Sequence, residues 1–206
     1  MYDAGQVYVV DDDDDLRGSL VDLISTRTPW RVKAYADGRA WLDAEQQHTP
    51  GCVLLDHSMP GITGLGVLQE MRHRNSAHQV VMLTGEGNIA IAVQAMRAGA
   101  TDFLEKPARF EDLERSIGGA IERLTDAIQA REKAADAVTR VARLKPREHD
   151  VMMGLVEGQP NKIIAYKLGL SVRTVELYRA ALMDRLEVDS VADVLKIAFA
   201  AGLIRA

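Results

Sequence analysis

The sequence predicts a doubly wound, five-stranded parallel α/β sheet followed by a small all-α domain with a helix-turn-helix. Three observations lead there. Short apolar runs alternate with amphipathic stretches from residue 6 to about 125, as βαβ units do. The apolar runs end in chemically matched polar residues: Asp11-Asp12, Asp56, Thr84 and Lys106. After Pro146 the periodicity is helical throughout. Right-handed crossovers between the strands would cover both sheet faces.

The elements follow in order. Strands are expected near 6–10, 31–36, 52–56, 79–83 and 102–105, with helices near 14–27, 38–46, 64–74, 88–98 and from 109 onward. Met59-Pro60-Gly61 and the turn from Thr84 to Gly87 supply loops at the strand carboxyl ends. Leu113, Ile117, Ile121, Leu124 and Ile128 keep helical spacing, and the Ala-rich, charged stretch that follows to about 142 has neither Pro nor Gly. One long helix is therefore expected, reading beyond Ile128 as a solvated linker or a modest coiled seam. Four short helices near 147–157, 161–168, 172–186 and 190–202 complete the chain, broken at Gly158, at Gly169 and around Val188. The division is 1–125, a helical linker over 126–143, and 144–206.

Composition sets bounds. A length of 206 residues allows one or two domains, and 47% hydrophobic content supports a real core. The N-terminus has neither a basic nor an apolar leader pattern, and no charge-free run approaches the ~18 residues needed to span a bilayer. A cytoplasmic protein that makes no membrane contact is expected. The single cysteine, Cys52, excludes an internal disulfide framework and reads as packed. Residues 143–206 carry ten Lys/Arg and eight Asp/Glu, a balance of +2, and the remainder carries fifteen and twenty-two, a balance of −7. The tail suits nucleic acid better than the acidic front half does.

In a parallel sheet all strand carboxyl ends share one edge, where ligands bind. Asp11, Asp12, Asp56, Thr84 and Lys106 should therefore converge, while Asp13, Asp14 and Asp15 fall at a helix N-terminus whose dipole favours them. Two like charges ~4 Å apart repel by about 4 kcal/mol at an effective dielectric near 20, so a cation must compensate. Lys106 supplies one charge and a hard ion, Mg²⁺, the rest, with the Ser58 carbonyl as a further oxygen ligand. A carboxylate held this way is a nucleophile for a phosphoryl group, and the Thr84 hydroxyl can then bond the phosphate formed. The outcome is a switch rather than turnover, so no enzyme is expected.

Val9-Val10-Asp11-Asp12, Leu54-Leu55-Asp56, Met59-Pro60-Gly61, Leu83-Thr84-Gly85, Ala95 to Ala100 and Phe103-Leu104-Glu105-Lys106-Pro107 resemble the flavodoxin-like receiver domain of two-component response regulators, most closely the FixJ branch. The resemblance implies that Asp56 accepts phosphate from a sensor histidine kinase and that Asp11 and Asp12 form the acidic pocket. It also implies Thr84 as the switch hydroxyl, Lys106 as the phosphoryl contact and a cis Lys106-Pro107 bond. Phe103 matches the switch aromatic and reads equally as a core residue. His57 reads as packing or surface. Glu86 flanks the phosphate position in this family and is expected to influence phosphoryl lifetime.

In the tail, Ser171 is a good helix N-cap, and Val175, Leu182 and Leu186 form a core stripe with Tyr178 and Met183 at its margins. The opposite face carries Arg173, Glu176, Leu177 and Ala180. There a leucine suits a thymine methyl and Glu176 can accept from cytosine N4. Leu144 to Glu148, Asn161 to Ala165 and Ser171 to Glu176 resemble the LuxR-type DNA-binding domain of the FixJ/NarL regulators. That resemblance sends the helix from Ser171 into the major groove, with Arg173, Thr174, Glu176, Leu177, Tyr178 and Arg179 as contacts and Asn161, Lys162 and Lys167 on the DNA backbone. Lys145 and Pro160 stand where the family carries cap hydroxyls, each loss costing about 1 kcal/mol.

The expectation is a response regulator in which phosphorylation of Asp56, with Mg²⁺, drives homodimerisation and promoter binding, RNA polymerase being a further possible partner. One rival is a receiver with a protein-interaction output. Another is a haloacid-dehalogenase-like phosphatase, which needs a second Asp where this chain has Ser58.

Overall fold

Five short runs form strands, and the three central ones, rich in Val and Leu, are apolar enough to be covered on both faces. The computed structural model describes residues 5–85 and 89–204. Its strands are β1 (Gln6–Val10), β2 (Arg31–Tyr35), β3 (Cys52–Asp56), β4 (Gln79–Thr84) and β5 (Asp102–Glu105). They pair in parallel in the order β2-β1-β3-β4-β5, so the doubly wound architecture is present. β3 is buried along its whole length, whereas β2, at the sheet edge, is largely exposed.

The intervening helices are α1 (Asp14–Arg27), α2 (Gly38–Ala44), α3 (Gly64–His73), α4 (Ile89–Arg97) and α5 (Phe110–Ala142). α2 is shorter than its expected 38–46 because the chain tightens into a 3₁₀ turn over Glu45–Gln47. Alternation along the strands splits the core in two. On one face Tyr8, Val10, Val53, Leu55, Val80 and Met82 pack with Trp41, Leu68 and Met71. On the other, Val7, Val9, Cys52, Leu54, Val81 and Leu83 pack with Ile24, Leu113 and Ile117.

The chain divides into two compact units between Ala127 and Ile128, a point that lies within α5. In the second unit α6 (Pro146–Val156), α7 (Asn161–Leu168), α8 (Val172–Leu186) and α9 (Val191–Ala200) enclose a core of Val151, Met152, Ile164, Val175, Leu182, Leu186 and Val194. Gly169 closes α7 in the left-handed conformation (φ 66°) that glycine adopts at low cost. Among the described residues no helix is long and apolar enough to cross a membrane.

Candidate functional site

Parallel pairing fixes which strand ends meet. Val10 stands opposite Leu55, Asp56 opposite Leu83 and Thr84 opposite Glu105, so the residues that close β1, β3, β4 and β5 share one edge. Asp11 and Asp56 are 1% and 4% exposed and Thr84 is fully buried, whereas Asp12 faces solvent. Carboxylate oxygens of Asp11, Asp12 and Asp56 lie within 4.8 Å of one another. The Lys106 ammonium donates to Asp11 Oδ2 at 2.7 Å and stands 2.7 Å from Asp56 Oδ1. Burial pulls the Lys106 pKa down, but hydrogen bonds to both carboxylates and their charge outweigh it, leaving the pKa raised. The ammonium is therefore charged at neutral pH.

Hydrogen bonds from two backbone amides and one side chain anchor this arrangement. The Asp13 amide donates to Asp11 Oδ1 at 3.0 Å, the Ser58 amide to Asp56 Oδ2 at 3.1 Å, and the Arg17 guanidinium to the Asp11 carbonyl at 2.7 Å. Asp13 caps α1 by accepting from the amides of Asp15 and Leu16, and Asp14 and Asp15 occupy its first turn. The Gly64 amide donates to the His57 carbonyl at 2.9 Å, and a Cβ at Gly64 would stand 2.1 Å from the Asp56 carbonyl. Gly64 is thus required for the approach of α3 to the strand end, a role that spacing does not reveal. The Lys106 amide donates to the Thr84 carbonyl at 2.7 Å, and Lys106-Pro107 is cis.

Phe103 is half-buried against the core cluster that includes Met82 and Ala95. His57 is also half-buried. Glu86 lies outside the described residues. Three carboxylates against one ammonium leave an excess of negative charge on hard oxygen donors, a set that fits a divalent hard cation.

The second group of expected residues lies on α7 and α8. Ser171 caps α8 by accepting from the Thr174 amide at 3.0 Å. Val175 and Leu182 point into the core, which turns Arg173, Glu176 and Leu177 outward, Leu177 at 60% exposure. Arg173 and Glu176 form a 3.6 Å ion pair along this face. Tyr178 and Arg179 are instead half-buried, and Arg179 donates to Asn161 Oδ1 at 2.5 Å. Lys162 is exposed, and Lys167 pairs with Glu157 at 3.2 Å. At the two altered caps, neither Lys145 nor Pro160 makes a side-chain bond to its helix. At the first, Glu148 accepts from the Lys145 amide at 2.8 Å and binds Arg185 through both carboxylate oxygens.

Comparison with known proteins agrees with this two-part arrangement. The profile described as "Response regulator receiver domain" matches residues 7–118, and that of "Bacterial regulatory proteins, luxR family" matches residues 142–198. The chain is 38% identical over 204 residues to the transcriptional regulatory protein FixJ of Bradyrhizobium diazoefficiens, covering 99% of both chains. It is 36% identical to FixJ of Rhizobium meliloti over 95% of this chain and 96% of that one. Among solved structures, full-length FixJ from B. japonicum matches with a TM-score of 0.61 and 38% identity over 98% of both chains. The response regulator StyR matches with a TM-score of 0.80 and 29% identity over 96% of this chain and 99% of that one.

A receiver fold joined to a LuxR-type helical output defines a class, the phosphorylation-dependent regulators of transcription. Within that class, this chain belongs to the response regulator family, in the LuxR-output group that contains FixJ. The luxR-family match over residues 142–198 sets aside the reading with a purely protein-interaction output.

Proposed function

We propose that Asp56 is the phosphoacceptor and that its phosphorylation switches dimerisation and promoter binding. The observation that carries this reading is the Lys106 ammonium, 2.7 Å from both Asp11 and Asp56 at a buried sheet edge. An Asp56 oxygen attacks the phosphorus of a phosphohistidine on a sensor kinase; the P–N bond breaks as the acyl-phosphate P–O bond forms. Lys106 meets the charge on the transferred group. Asp11, Asp12, Asp56 and the backbone carbonyl of Ser58 would hold Mg²⁺, which when bound neutralises charge on the phosphoryl oxygens. The new phosphate adds roughly −1.5 to −2 charges and strong acceptors. The Thr84 hydroxyl then moves toward them, and Phe103 repacks against the space released.

The receiver occupies 1–125, the helical linker 126–143 and the DNA-binding domain 144–206. α8 enters the major groove with Arg173, Thr174, Glu176, Leu177 and Tyr178 at its reading surface, and Arg179 belongs to that surface through its bond to Asn161. Lys162 and Lys167 approach the phosphate backbone. A homodimer places two such helices on half-sites about one DNA turn apart, a gain in avidity that a single weakly basic domain needs. RNA polymerase is the partner at the promoter, the setting is the cytoplasm, and the molecule acts as a switch without turnover.

The test treats wild type and Asp56→Asn with acetyl phosphate and Mg²⁺, then follows mass, oligomeric state and binding to a duplex selected from random sequence. Wild type gains one phosphoryl group, dimerises and binds more tightly; Asp56→Asn does none of these. Phosphoryl uptake by the variant would move the acceptor elsewhere.

A further inference from the structure

We infer that Arg179 is a positioning residue, which sets the DNA-reading geometry by tying α8 to the start of α7 instead of contacting a base. The inference rests on α8 being the groove-reading helix. On that helix Arg173, Glu176, Leu177 and Ala180 are among the side chains that face solvent, whereas Arg179 is half-buried. Arg179 lies elsewhere: it is two turns from Ser171 and one turn after the fully buried Val175, so its stem runs along the margin of the core. Its head donates to Asn161 Oδ1 at 2.5 Å, across 18 residues of chain. A charge-assisted hydrogen bond is among the stronger kinds available between two helices.

The position of Asn161 gives the bond its consequence. Asn161 is the first residue of α7, and Pro160 before it supplies no side-chain cap. The start of α7 therefore lacks the local fixing that Ser171 gives α8. Arg179 replaces that fixing from the neighbouring helix. It holds the first turn of α7, with Lys162 next in the chain, at a defined offset from the exposed face of α8. In a helix-turn-helix the first helix crosses the DNA backbone while the second reads bases, so this offset sets how far α8 enters the groove. The bond to Asn161 also occupies Nη1 of Arg179, one of the nitrogens that a base-reading fork would use.

Positioning and base reading make opposite forecasts. The full-length chain, treated with acetyl phosphate and Mg²⁺, is titrated with a duplex selected by the wild type, with single-base variants of that duplex, and with a scrambled duplex. As a positioning residue, Arg179→Ala and Asn161→Ala each weaken binding by about tenfold, and the double variant is no weaker than either single one. The ranking of base variants stays that of the wild type. Arg179→Lys, which still donates to Asn161, recovers most of the affinity. Far-ultraviolet circular dichroism of each variant, recorded at the titration temperature, excludes loss of the fold as the cause.

A base contact would instead relax preference at one base pair in Arg179→Ala alone, leave Asn161→Ala near wild type, and make the two effects additive; any of these overturns the inference. If the wild type selects no duplex, the groove-reading assignment of α8 falls and the inference falls with it, a result distinct from altered specificity.

Discussion

At the scale of single residues, the receiver edge is a balance of charges that does not close within the protein. Asp11 and Asp56 are buried and share Lys106, while Asp12 adds a third carboxylate within 4.8 Å. Like charges this close destabilise the fold, and on the function proposed above a divalent cation would offset the repulsion. Asp12→Asn is therefore expected to raise thermal stability without metal, by about 0.5–1 kcal/mol given its exposure. Millimolar Mg²⁺ is expected to raise the melting temperature of the wild type, and the same variant should lose that rise. Thermal unfolding with and without Mg²⁺ checks both, and an Asp12→Asn protein that responds to Mg²⁺ as wild type does would remove Asp12 from the cation site. Lys106→Met should act in the opposite direction, costing about 2–3 kcal/mol without metal, because it strands two buried carboxylates. The Mg²⁺-induced rise in that variant should exceed the wild-type rise, measured in the same series.

At the scale of elements, the second unit shows how one buried charge both caps α6 and ties it to α8. Glu148 is 3% exposed; it accepts from the Lys145 amide at the start of α6 and from Arg185 near the end of α8. Burial pushes its pKa up, but the Arg185 hydrogen bonds, the Lys145 amide and the nearby positive charge outweigh that and hold it below the usual carboxylate range. Because the folded pKa lies below the unfolded one, the stabilisation is fully present above the unfolded value near 4.3 and fades as pH falls through the folded value. Glu148→Gln should cost about 2 kcal/mol at neutral pH. Thermal unfolding from pH 7 downward, followed on the second unit, should show wild type and variant converging below about pH 4. A gap that stays constant with pH would mean that Glu148 acts by packing alone.

The same elements show what a sequence can carry. Strands buried on both faces read as unbroken apolar runs, and α1, α7 and α8 have caps or glycine stops that mark their ends, so these elements were legible. The convergence of Asp11, Asp56 and Lys106 was legible for a topological reason, since parallel strands deliver their carboxyl ends to one edge. What was hidden depends on distant partners. The shortened α2 leads into Glu45, a charged residue only 2% exposed, and no local pattern announces a buried carboxylate. The lost hydroxyl at Lys145 looked like a plain defect, yet Glu148 meets the freed amide there. Arg179 sits among the positions expected from sequence to contact DNA, and its bond to Asn161 appears only once α7 and α8 are folded together.

At the scale of the whole molecule, the two units share one continuous element. α5 runs 33 residues from Phe110 to Ala142, through the division at Ala127. Its first turns bury Leu113 and Ile117 in the receiver core, and its last place Ala137 and Val141 in or against the second unit. Between them the residues from Asp126 to Lys133 are exposed, so little beyond helical hydrogen bonding keeps that stretch rigid. A change at Asp56 that shifts the receiver can reach the DNA-binding unit through this helix only if the stretch stays helical. Ala130→Pro tests that dependence directly. The ring removes one helical hydrogen bond and clashes with the carbonyl of Asp126, at a cost of about 3 kcal/mol, and it touches neither core. Phosphoryl uptake from acetyl phosphate, followed by mass, should match wild type, since every residue of the acidic site lies far earlier in the chain or in β5 and its loop. The ratio of duplex affinities with and without acetyl phosphate should fall toward one. Ala130→Gln, which keeps the helix, should retain the wild-type ratio. If Ala130→Pro retains it as well, helical continuity is not the route between the two units, and contacts made by the phosphorylated receivers with each other must carry the signal instead.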